Sequence, residues 1–364
     1  MLKSAILTCN DSINYGNRLQ NYALSQLLQQ YGLTTTIQMY TNADSLWGYV
    51  KGPLKVGREK FRGLLYAFGG PKKRALGKRI RRSFKFTKQY VPDNRATLSA
   101  YRGLRSRIAF DRVVIGSDQV WNYNWLAPCD LPLRLGSFYD SNKVLSYAAS
   151  MGVSKLTPEV APVFNKCLSR IKRISVREIQ AADALNEAIH CNAQVVLDPT
   201  LMLSRAQWQR FCTSNKAEEP YLITYFLGKP SDKQENVIQQ YAKDHHLKIR
   251  RLGDDRDLES LAAGPGEFVN LFSKASYVFT DSYHACCFSV IFNVGFKVFN
   301  RQGFSGDQVV NSRMETLFAL LGIDMDMSDD QTTKIDYTSV NAKLHDWQKR
   351  SHDWLQMAMQ NPGK

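Results

Sequence analysis

The sequence predicts an α/β protein of two domains with mainly parallel sheets, because short β-type runs alternate with helical patterns along most of its 364 residues. A polar stretch without periodicity, Thr213–Pro220, separates two such alternating halves. We therefore expect an N-terminal domain at residues 1–212, a C-terminal domain at 213–324 and a tail at 325–364 that contains a helix. Two consecutive α/β domains predict a cleft between them.

The N-terminal domain opens with a β-type run at Ser4–Thr8 and a helical pattern at Arg18–Tyr31 that Gly32 ends. A basic, aromatic-rich insertion at about residues 42–107 follows, and we expect it to be helical and irregular. The pair Thr157-Pro158 predicts a helix start, with Thr as cap and Pro at the first helical position. The remaining predicted strands are Thr34–Tyr40, Arg112–Ile115, Val144–Ala148, Arg173–Val176 and Gln194–Leu197.

The C-terminal domain repeats the alternation, beginning with a strand at Tyr221–Phe226. Its predicted helices are Ser231–His246, Glu267–Ala275, Tyr283–Phe292 and Asn311–Leu321, and its further strands are Leu247–Arg251, Tyr277–Thr280 and Phe296–Asn300. In the tail, a helical pattern covers Val340–Met359.

The formal net charge of +15 comes mainly from one segment. Between Lys51 and Lys88, fourteen lysines and arginines stand against a single acid, Glu59, which gives a local charge of +13. Aromatic side chains are interleaved with these bases, a pattern that favours contact with anionic lipid head groups. A solvated basic face is the alternative, and nucleic acid is not an expected partner.

Cysteine use and hydropathy indicate the compartment. The seven cysteines form no Cys-x-x-Cys pair, and their odd number favours a reducing environment. No apolar stretch reaches the roughly 20 residues that cross a bilayer, and the run at Met1–Asn10 is too short for a signal peptide. We expect a cytoplasmic protein with peripheral contact at the inner face of the cytoplasmic membrane.

Polar clusters follow five of the predicted strands. In open parallel sheets, ligands bind beyond the carboxyl ends of the strands. The clusters are Asn14–Asn17, Gly116–Gln119, Ser150–Gly152, Arg177–Glu178 and Asp281–His284. Five clusters in such positions predict one shared site.

Eight segments of the sequence form a recognisable set of motifs: Asn14–Leu24, Gly116–Asn122, Ser146–Gly152, Ser175–Glu178, Val196–Met202, Gly264–Phe268, Thr280–Ser289 and Asn311–Glu315. Together they resemble the polysaccharide pyruvyl transferase family. Their order and spacing extend the resemblance over residues 1 to about 322. The chain departs from the family pattern at Ser282, where some members carry an arginine, and at Ala285, where a glycine is usual.

The resemblance implies a GT-B-like fold, in which two Rossmann-like domains face each other across a cleft. It also implies phosphoenolpyruvate as donor and a hexose in a surface glycan, or in its lipid-linked precursor, as acceptor. The implied product is a pyruvate ketal that bridges two sugar hydroxyls. Two alternatives keep the fold: a glycosyltransferase that uses a nucleotide-sugar, and a non-catalytic glycan- or membrane-binding relative.

Phosphoenolpyruvate carries a phosphate and a carboxylate, and the planar fork of arginine binds both groups well. Arg177, at a predicted strand end, is the first candidate for donor binding, and Arg313 is the second. The helix starts at Asn17 and at Ser282-Tyr283 offer N–H groups to an anion. Neither a metal nor a cofactor is expected, because the paired histidines lack a third ligand and no dinucleotide or Walker loop is present.

Ketal formation needs an acid that protonates the enol carbon and a base that accepts hydroxyl protons. The family's histidine matches His284, which we expect to be that acid or a cation on the phosphate. Asp118, Asp281 and Glu178 are candidates for the base, with helix capping as the alternative for Asp281. The residues expected to bind the acceptor are Asn14, Tyr15, Ser117, Gln119 and Glu178, with capping the alternative for Asn14 and core packing for Tyr15.

Overall fold

The computed structural model describes residues 1–9, 11, 13–92, 96–212, 219–301, 312–325, 327, 332 and 334–361. Contacts divide the chain into two compact units. Unit 1 comprises residues 1–60, 87–202 and 347–364, and unit 2 comprises residues 61–86 and 203–346. The chain therefore alternates between the units instead of completing one before it enters the other.

Strands and helices alternate along the described chain. The strands are β1 (Leu2–Leu7), β2 (Gly32–Thr36), β3 (Gln38–Met39), β4 (Thr97–Ser99), β5 (Gly103–Arg105), β6 (Arg112–Ile115), β7 (Val144–Ser146), β8 (Ser175–Val176), β9 (Gln194–Val195), β10 (Tyr221–Tyr225), β11 (Lys248–Leu252), β12 (Tyr277–Thr280) and β13 (Gly295–Val298). The helices are α1 (Tyr15–Gln29), α2 (Leu46–Leu65), α3 (Pro71–Tyr90), α4 (Leu131–Arg134), α5 (Ala161–Leu168), α6 (Ile179–Ile189), α7 (Pro199–Met202), α8 (Arg205–Gln209), α9 (Asp232–Asp244), α10 (Leu258–Leu261), α11 (Pro265–Lys274), α12 (Tyr283–Phe292), α13 (Ser312–Leu321) and α14 (Tyr337–Gln360).

Unit 1 is built on a parallel sheet with the strand order β2-β1-β6-β7. Single parallel bridges from Asp118 to Ala149 and from Ala149 to Val176 continue the pairing from β6 to β8 beyond the strand ends. Along β1, Ala5 and Leu7 pack into one buried cluster and Ile6 into another, which is the alternation expected of a sheet covered on both faces.

Unit 2 has a second parallel sheet, with the order β11-β10-β12-β13. Leu222, Ile238, Phe279 and Phe299 form one of its buried clusters. Elsewhere in the unit, the rings of Trp208 in α8 and Phe288 in α12 pack edge-to-face, with 4.8 Å between their centroids. Each unit is thus a Rossmann-like α/β unit, and the α/β class with two such units is confirmed.

Two predictions of domain organisation differ from the structure. The boundary that was predicted after residue 212 lies between residues 202 and 203, so α8 belongs to unit 2. Residues 213–218 of the predicted linker lie outside the described residues. The predicted tail is not an appendage, because Leu355, Ala358 and Met359 of α14 are fully buried in the core of unit 1. Among the described helices, none is long and apolar enough to cross a membrane.

Candidate functional site

The carboxyl ends of β1, β6, β7 and β8 lie at one edge of the sheet in unit 1, because these strands run parallel. Four of the polar clusters found in the sequence follow these strands, and several of their side chains contact one another. Gly116 makes the close approach of β6 and β7 possible: it has φ of +134°, and a Cβ there would lie 2.0 Å from the carbonyl oxygen of Tyr147.

Arg177 lies between two carboxylates at this edge. Its Nη1 donates to Asp198 Oδ2 at 2.7 Å, and its Nη2 donates to Asp118 Oδ1 at 3.3 Å. The side chains of Arg177 and Asp198 are 1% and 0% exposed, and that of Asp118 is 10% exposed. A buried arginine satisfied by two acids is energetically acceptable, whereas a single unpaired charge at this depth is not.

Hydroxyl and amide groups extend this charge network. Asn17 donates from Nδ2 to Asp118 Oδ2, and the Ser117 hydroxyl donates to Asp198 Oδ2 at 2.7 Å. The Thr200 hydroxyl donates to Asp198 Oδ1 at 2.7 Å. The structure therefore places four candidate residues, Asn17, Ser117, Asp118 and Arg177, in one hydrogen-bonded network. The network also contains Asp198, which is not among the candidates from the sequence.

Two further arginines lie close to this network, and sequence reasoning missed both. Arg18 of α1 and Arg134 of α4 are buried, and both, like Arg177, act electrostatically on the thiol of Cys9 at the end of β1. Burial nevertheless raises the pKa of Cys9 to about 12, and it lowers the pKa of Arg18 to about 10. At neutral pH the thiol is thus protonated and Arg18 is charged.

The buried nitrogens of unit 1 that make no hydrogen bond to any described residue include Nε2 of Gln119 and Nε of Arg134. Arg134 still donates from Nη1 to the carbonyl oxygen of Thr8 at 2.7 Å. Buried donors without a partner are costly, so both nitrogens are suited to a ligand oxygen.

Three other residues expected at the site have structural contacts in unit 1. Asn14 caps α1, its side chain accepting from the backbone N–H of Asn17 at 3.2 Å. Tyr15 is fully buried, and Glu178 is also fully buried with its Oε1 accepting from the Ser150 hydroxyl. These contacts favour the capping alternative for Asn14 and the core-packing alternative for Tyr15.

In unit 2, Asp281 follows β12 and holds a neighbouring loop in place. Its Oδ1 accepts from the backbone N–H of Leu227 at 2.6 Å, and its Oδ2 accepts from that of Gly228 at 2.9 Å. Arg301 donates from Nε to the same Oδ2 at 2.9 Å. Arg301 lies three residues after β13 and directly follows the predicted strand Phe296–Asn300, a position that would have identified it as a site candidate in the sequence.

The start of α12 carries the other candidates of unit 2. Ser282, Tyr283 and His284 are 3%, 5% and 7% exposed, so little of each side chain reaches solvent. Ser282 is the N-cap residue, but its side chain makes no capping hydrogen bond. Arg313 of α13 is likewise buried, and it acts electrostatically on Cys286 of α12.

A cavity of about 640 Å³ opens beside this edge of unit 2. Phe226 and Gly228 line it after β10, and Leu252 and Gly253 line it at the end of β11. Its charged lining residues are Lys72, Lys229, Asp232, Glu235, Asp254, Asp255 and Arg256. Within the described ranges, no group of three histidine, cysteine, aspartate or glutamate side chains is arranged to hold a metal ion.

His284 and Arg177 belong to different units, so their meeting in one groove stays a prediction.

Comparison with solved structures gives distant matches. One is assigned as a UDP-N-acetylglucosamine 2-epimerase from Listeria monocytogenes, at 10% identity and a TM-score of 0.49, with 100% of this chain and 93% of that chain covered. Another is the UDP-GlcNAc 2-epimerase from Neisseria meningitidis, at 11% identity and a TM-score of 0.43, with 100% and 96% covered. Such distant likeness carries no argument about this chain.

The comparison with protein families is more informative. No curated protein sequence matches the chain significantly. The model of the family described as polysaccharide pyruvyl transferase matches residues 14–302, which include the strand-end clusters of both units. Because this match covers most of the sequence, the chain belongs to the polysaccharide pyruvyl transferase family.

Proposed function

We propose that this protein transfers a pyruvyl group from phosphoenolpyruvate to two hydroxyls of a hexose, forming a pyruvate ketal. The acceptor sugar belongs to a surface glycan or to its lipid-linked precursor at the inner face of the cytoplasmic membrane. The family match over residues 14–302 is the observation that carries the proposal. The buried charge network in unit 1 and the start of α12 in unit 2 supply side chains suited to the reaction.

The reaction requires a proton and two nucleophilic oxygens. Protonation of the methylene carbon of phosphoenolpyruvate makes its neighbouring carbon electrophilic, and one sugar hydroxyl bonds to that carbon. The second hydroxyl then bonds to the same carbon while the carbon–oxygen bond to phosphate breaks. One inorganic phosphate is released. Of the two protons that the hydroxyls lose, one replaces the proton taken up by the methylene carbon and the other leaves with the phosphate.

In this proposal His284 donates the proton to the methylene carbon or neutralises the phosphate. Asp118 is the proposed base, because its side chain is more exposed than that of Asp198, the other carboxylate that contacts Arg177. Asp281 accepts hydrogen bonds from Leu227, Gly228 and Arg301, and its side chain is 3% exposed against 10% for Asp118, so we assign it a positioning role.

Donor binding needs cations, and unit 1 offers more of them than the sequence suggested. Arg177 shares its charge with two aspartates, so we propose that Arg134 assists it with the donor's carboxylate or phosphate. The Nε of Arg134 is buried and has no hydrogen-bond partner among the described residues. This assignment supplies a further cation for the donor in a chain that has Ser282 where some family members carry an arginine.

A nucleotide-sugar-dependent glycosyltransferase is the second candidate, and the 640 Å³ cavity of unit 2 is the observation that favours it. The cavity opens at the carboxyl ends of parallel strands, where nucleotides bind in such sheets. Its lining has four acids against three basic residues, however, and therefore offers little net positive charge to a diphosphate.

Incubation of the purified protein with phosphoenolpyruvate and a hexose-containing glycan tests the proposal through phosphate release. The wild type should release phosphate, and His284→Ala should lower the rate at least about a hundred-fold. His345→Ala, which changes an exposed histidine of α14, is the matched control and should keep the wild-type rate.

Other outcomes separate the candidates. A melting temperature raised by a nucleotide-sugar but not by phosphoenolpyruvate would favour the glycosyltransferase. No response to either ligand would favour a non-catalytic relative. Wild-type turnover in His284→Ala would remove that residue from the proposed mechanism.

A further inference from the structure

The outer face of α2 carries a row of large apolar side chains that point into solvent. Trp47 is 64% exposed, Leu54 is 61% exposed and Phe61 is 58% exposed. The row also includes Val50, Leu64 and Leu65, and it ends at Phe68, which is 92% exposed in the turn after the helix. Isolated exposed apolar residues are ordinary, but a contiguous row of this length indicates a binding surface.

Helical geometry explains why these residues form one row. At about 100° per residue, the apolar positions from Trp47 to Leu65 fall within an arc of roughly 100°. Gly52 and Gly63 fall on the opposite arc, and a Cβ at either position would press against Tyr40 or Ile80. The helix therefore packs through its small residues and presents its large apolar residues outward.

Basic residues flank the apolar row on one side. Lys51, Lys55 and Arg58 are exposed and fall within an arc of about 60° next to the row. Along the whole of α2, five basic residues stand against one acid, Glu59. An apolar stripe bordered by cations is the arrangement of a helix that lies in the interface of an anionic membrane.

The neighbouring helix α3 is more basic but is used differently. Lys72 pairs with Asp255 at 2.5 Å, and Arg82 pairs with Glu267 at 3.1 Å. Arg81 donates from Nη1 to the carbonyl oxygen of Gly63 at 2.5 Å. Several of its charges are therefore already paired within unit 2, which leaves α2 as the better docking element within the basic segment.

We propose that the outer face of α2 docks on an anionic phospholipid bilayer, with the apolar row immersed at the level of the head groups and Lys51, Lys55 and Arg58 paired with lipid phosphates. The charge of the segment selects this occupant over an uncharged partner surface. No described helix is long and apolar enough to span a membrane, so the contact is peripheral. The inference does not depend on the proposed reaction, since vesicle binding requires no substrate.

Flotation of the full-length protein with vesicles tests the docking surface. The wild type binds mixed vesicles of phosphatidylglycerol and phosphatidylcholine, does not bind pure phosphatidylcholine, and releases as salt rises. Trp47→Ser combined with Phe61→Ser lowers the partition coefficient about ten-fold or more. Trp125→Ser is the matched control, because Trp125 is 63% exposed outside the basic segment, and it binds like the wild type.

Gly57 allows a test in the opposite direction. It falls within the apolar arc, and a Cβ there would meet no atom within 4 Å. Gly57→Leu therefore adds an apolar side chain to the row and strengthens vesicle binding several-fold, whereas Gly57→Gln, of similar helix propensity, does not.

Four results would overturn the proposal. The first is failure of the wild type to float with anionic vesicles, and the second is unchanged flotation of the Trp47→Ser and Phe61→Ser double variant. The third is tighter binding of the wild type to duplex DNA than to vesicles. The fourth is self-association of the wild type that the same double variant abolishes, because the occupant would then be a second copy of the chain.

Discussion

At the scale of single residues, the position of Arg177 between Asp118 and Asp198 determines what its replacement will do. Arg177→Ala leaves two carboxylates without their cation in a buried site, one of them fully buried. We expect this variant to lose about 3–5 kcal/mol of unfolding free energy in addition to any loss of donor affinity. Urea denaturation followed by circular dichroism measures the loss.

Two further variants show whether the pairing is the cause. Arg170→Ala removes an exposed arginine of unit 1 and should leave the unfolding free energy within about 0.5 kcal/mol of the wild type. Combining Arg177→Met with Asp198→Asn should recover part of the loss, because no unpaired charge then remains at Asp198. If Arg177→Ala unfolds at the wild-type urea concentration, the buried ion pairs are not as we describe them.

Sequence reasoning found some residues of the unit 1 network and missed others, for a physical reason. Arg177 directly follows β8, Asp118 is in the polar cluster after β6, and Asn17 is in the polar cluster that begins α1 after β1. Such runs of polar residues after a strand are conspicuous in the sequence. Arg18 and Arg134 lie in helices, and a basic residue in a helical pattern predicts an exposed position. Their burial depends on tertiary packing against the end of β1, which no local pattern encodes.

At the scale of secondary-structure elements, Asp281 links three parts of the unit 2 sheet edge. It follows β12, accepts hydrogen bonds from the loop after β10, and pairs with Arg301 after β13. We expect Asp281→Ala to release residues 226–230, because the backbone N–H groups of Leu227 and Gly228 lose their acceptor. Hydrogen–deuterium exchange of peptides that cover these residues should become faster.

The exchange experiment separates a positioning role from the catalytic base that the sequence suggested. A residue acting only as base would change turnover and leave the exchange of residues 226–230 untouched. Asp232→Ala, which removes an exposed carboxylate from the first turn of α9, is the control and should not change that exchange.

Periodicity located most of the elements well. The strands β6 and β12 and the helix α12 have the predicted bounds. The helix expected from Thr157-Pro158 begins instead at Ala161, after a turn in which Val160 donates from its backbone N–H to the carbonyl oxygen of Thr157. The basic segment is mostly two helices of 20 residues each. The many lysines and arginines of α3 are good helix formers, whereas α2 is helical despite Pro53 and four glycines.

At the scale of the whole molecule, the chain order does not follow the order of the units. A boundary drawn from composition assumes that each domain is one continuous segment. Here residues 61–86 leave unit 1 and residues 347–364 return to it. Tertiary contacts determine on which unit a helix packs. The sequence pattern of α14 therefore predicted a helix but not that this helix packs on unit 1.

The return of the chain to unit 1 makes α14 essential to that unit's stability. Leu355 is fully buried beside Leu24 and Val114, and the Ser351 hydroxyl accepts from the backbone N–H of Leu197 at 3.0 Å. Leu355→Ala should therefore cost about 2–5 kcal/mol of unfolding free energy, through lost burial and the cavity left behind. Chemical denaturation monitored by tryptophan fluorescence provides the measurement.

A neighbouring position on the same helix provides the control. Met357 is 41% exposed, so Met357→Ala should change the unfolding free energy by no more than about 0.5 kcal/mol. Equal effects of the two variants would mean that Leu355 is not packed in the core of unit 1. A large effect of Leu355→Ala with a small effect of Met357→Ala would instead show that the last helix of the sequence completes the core built around its first strand.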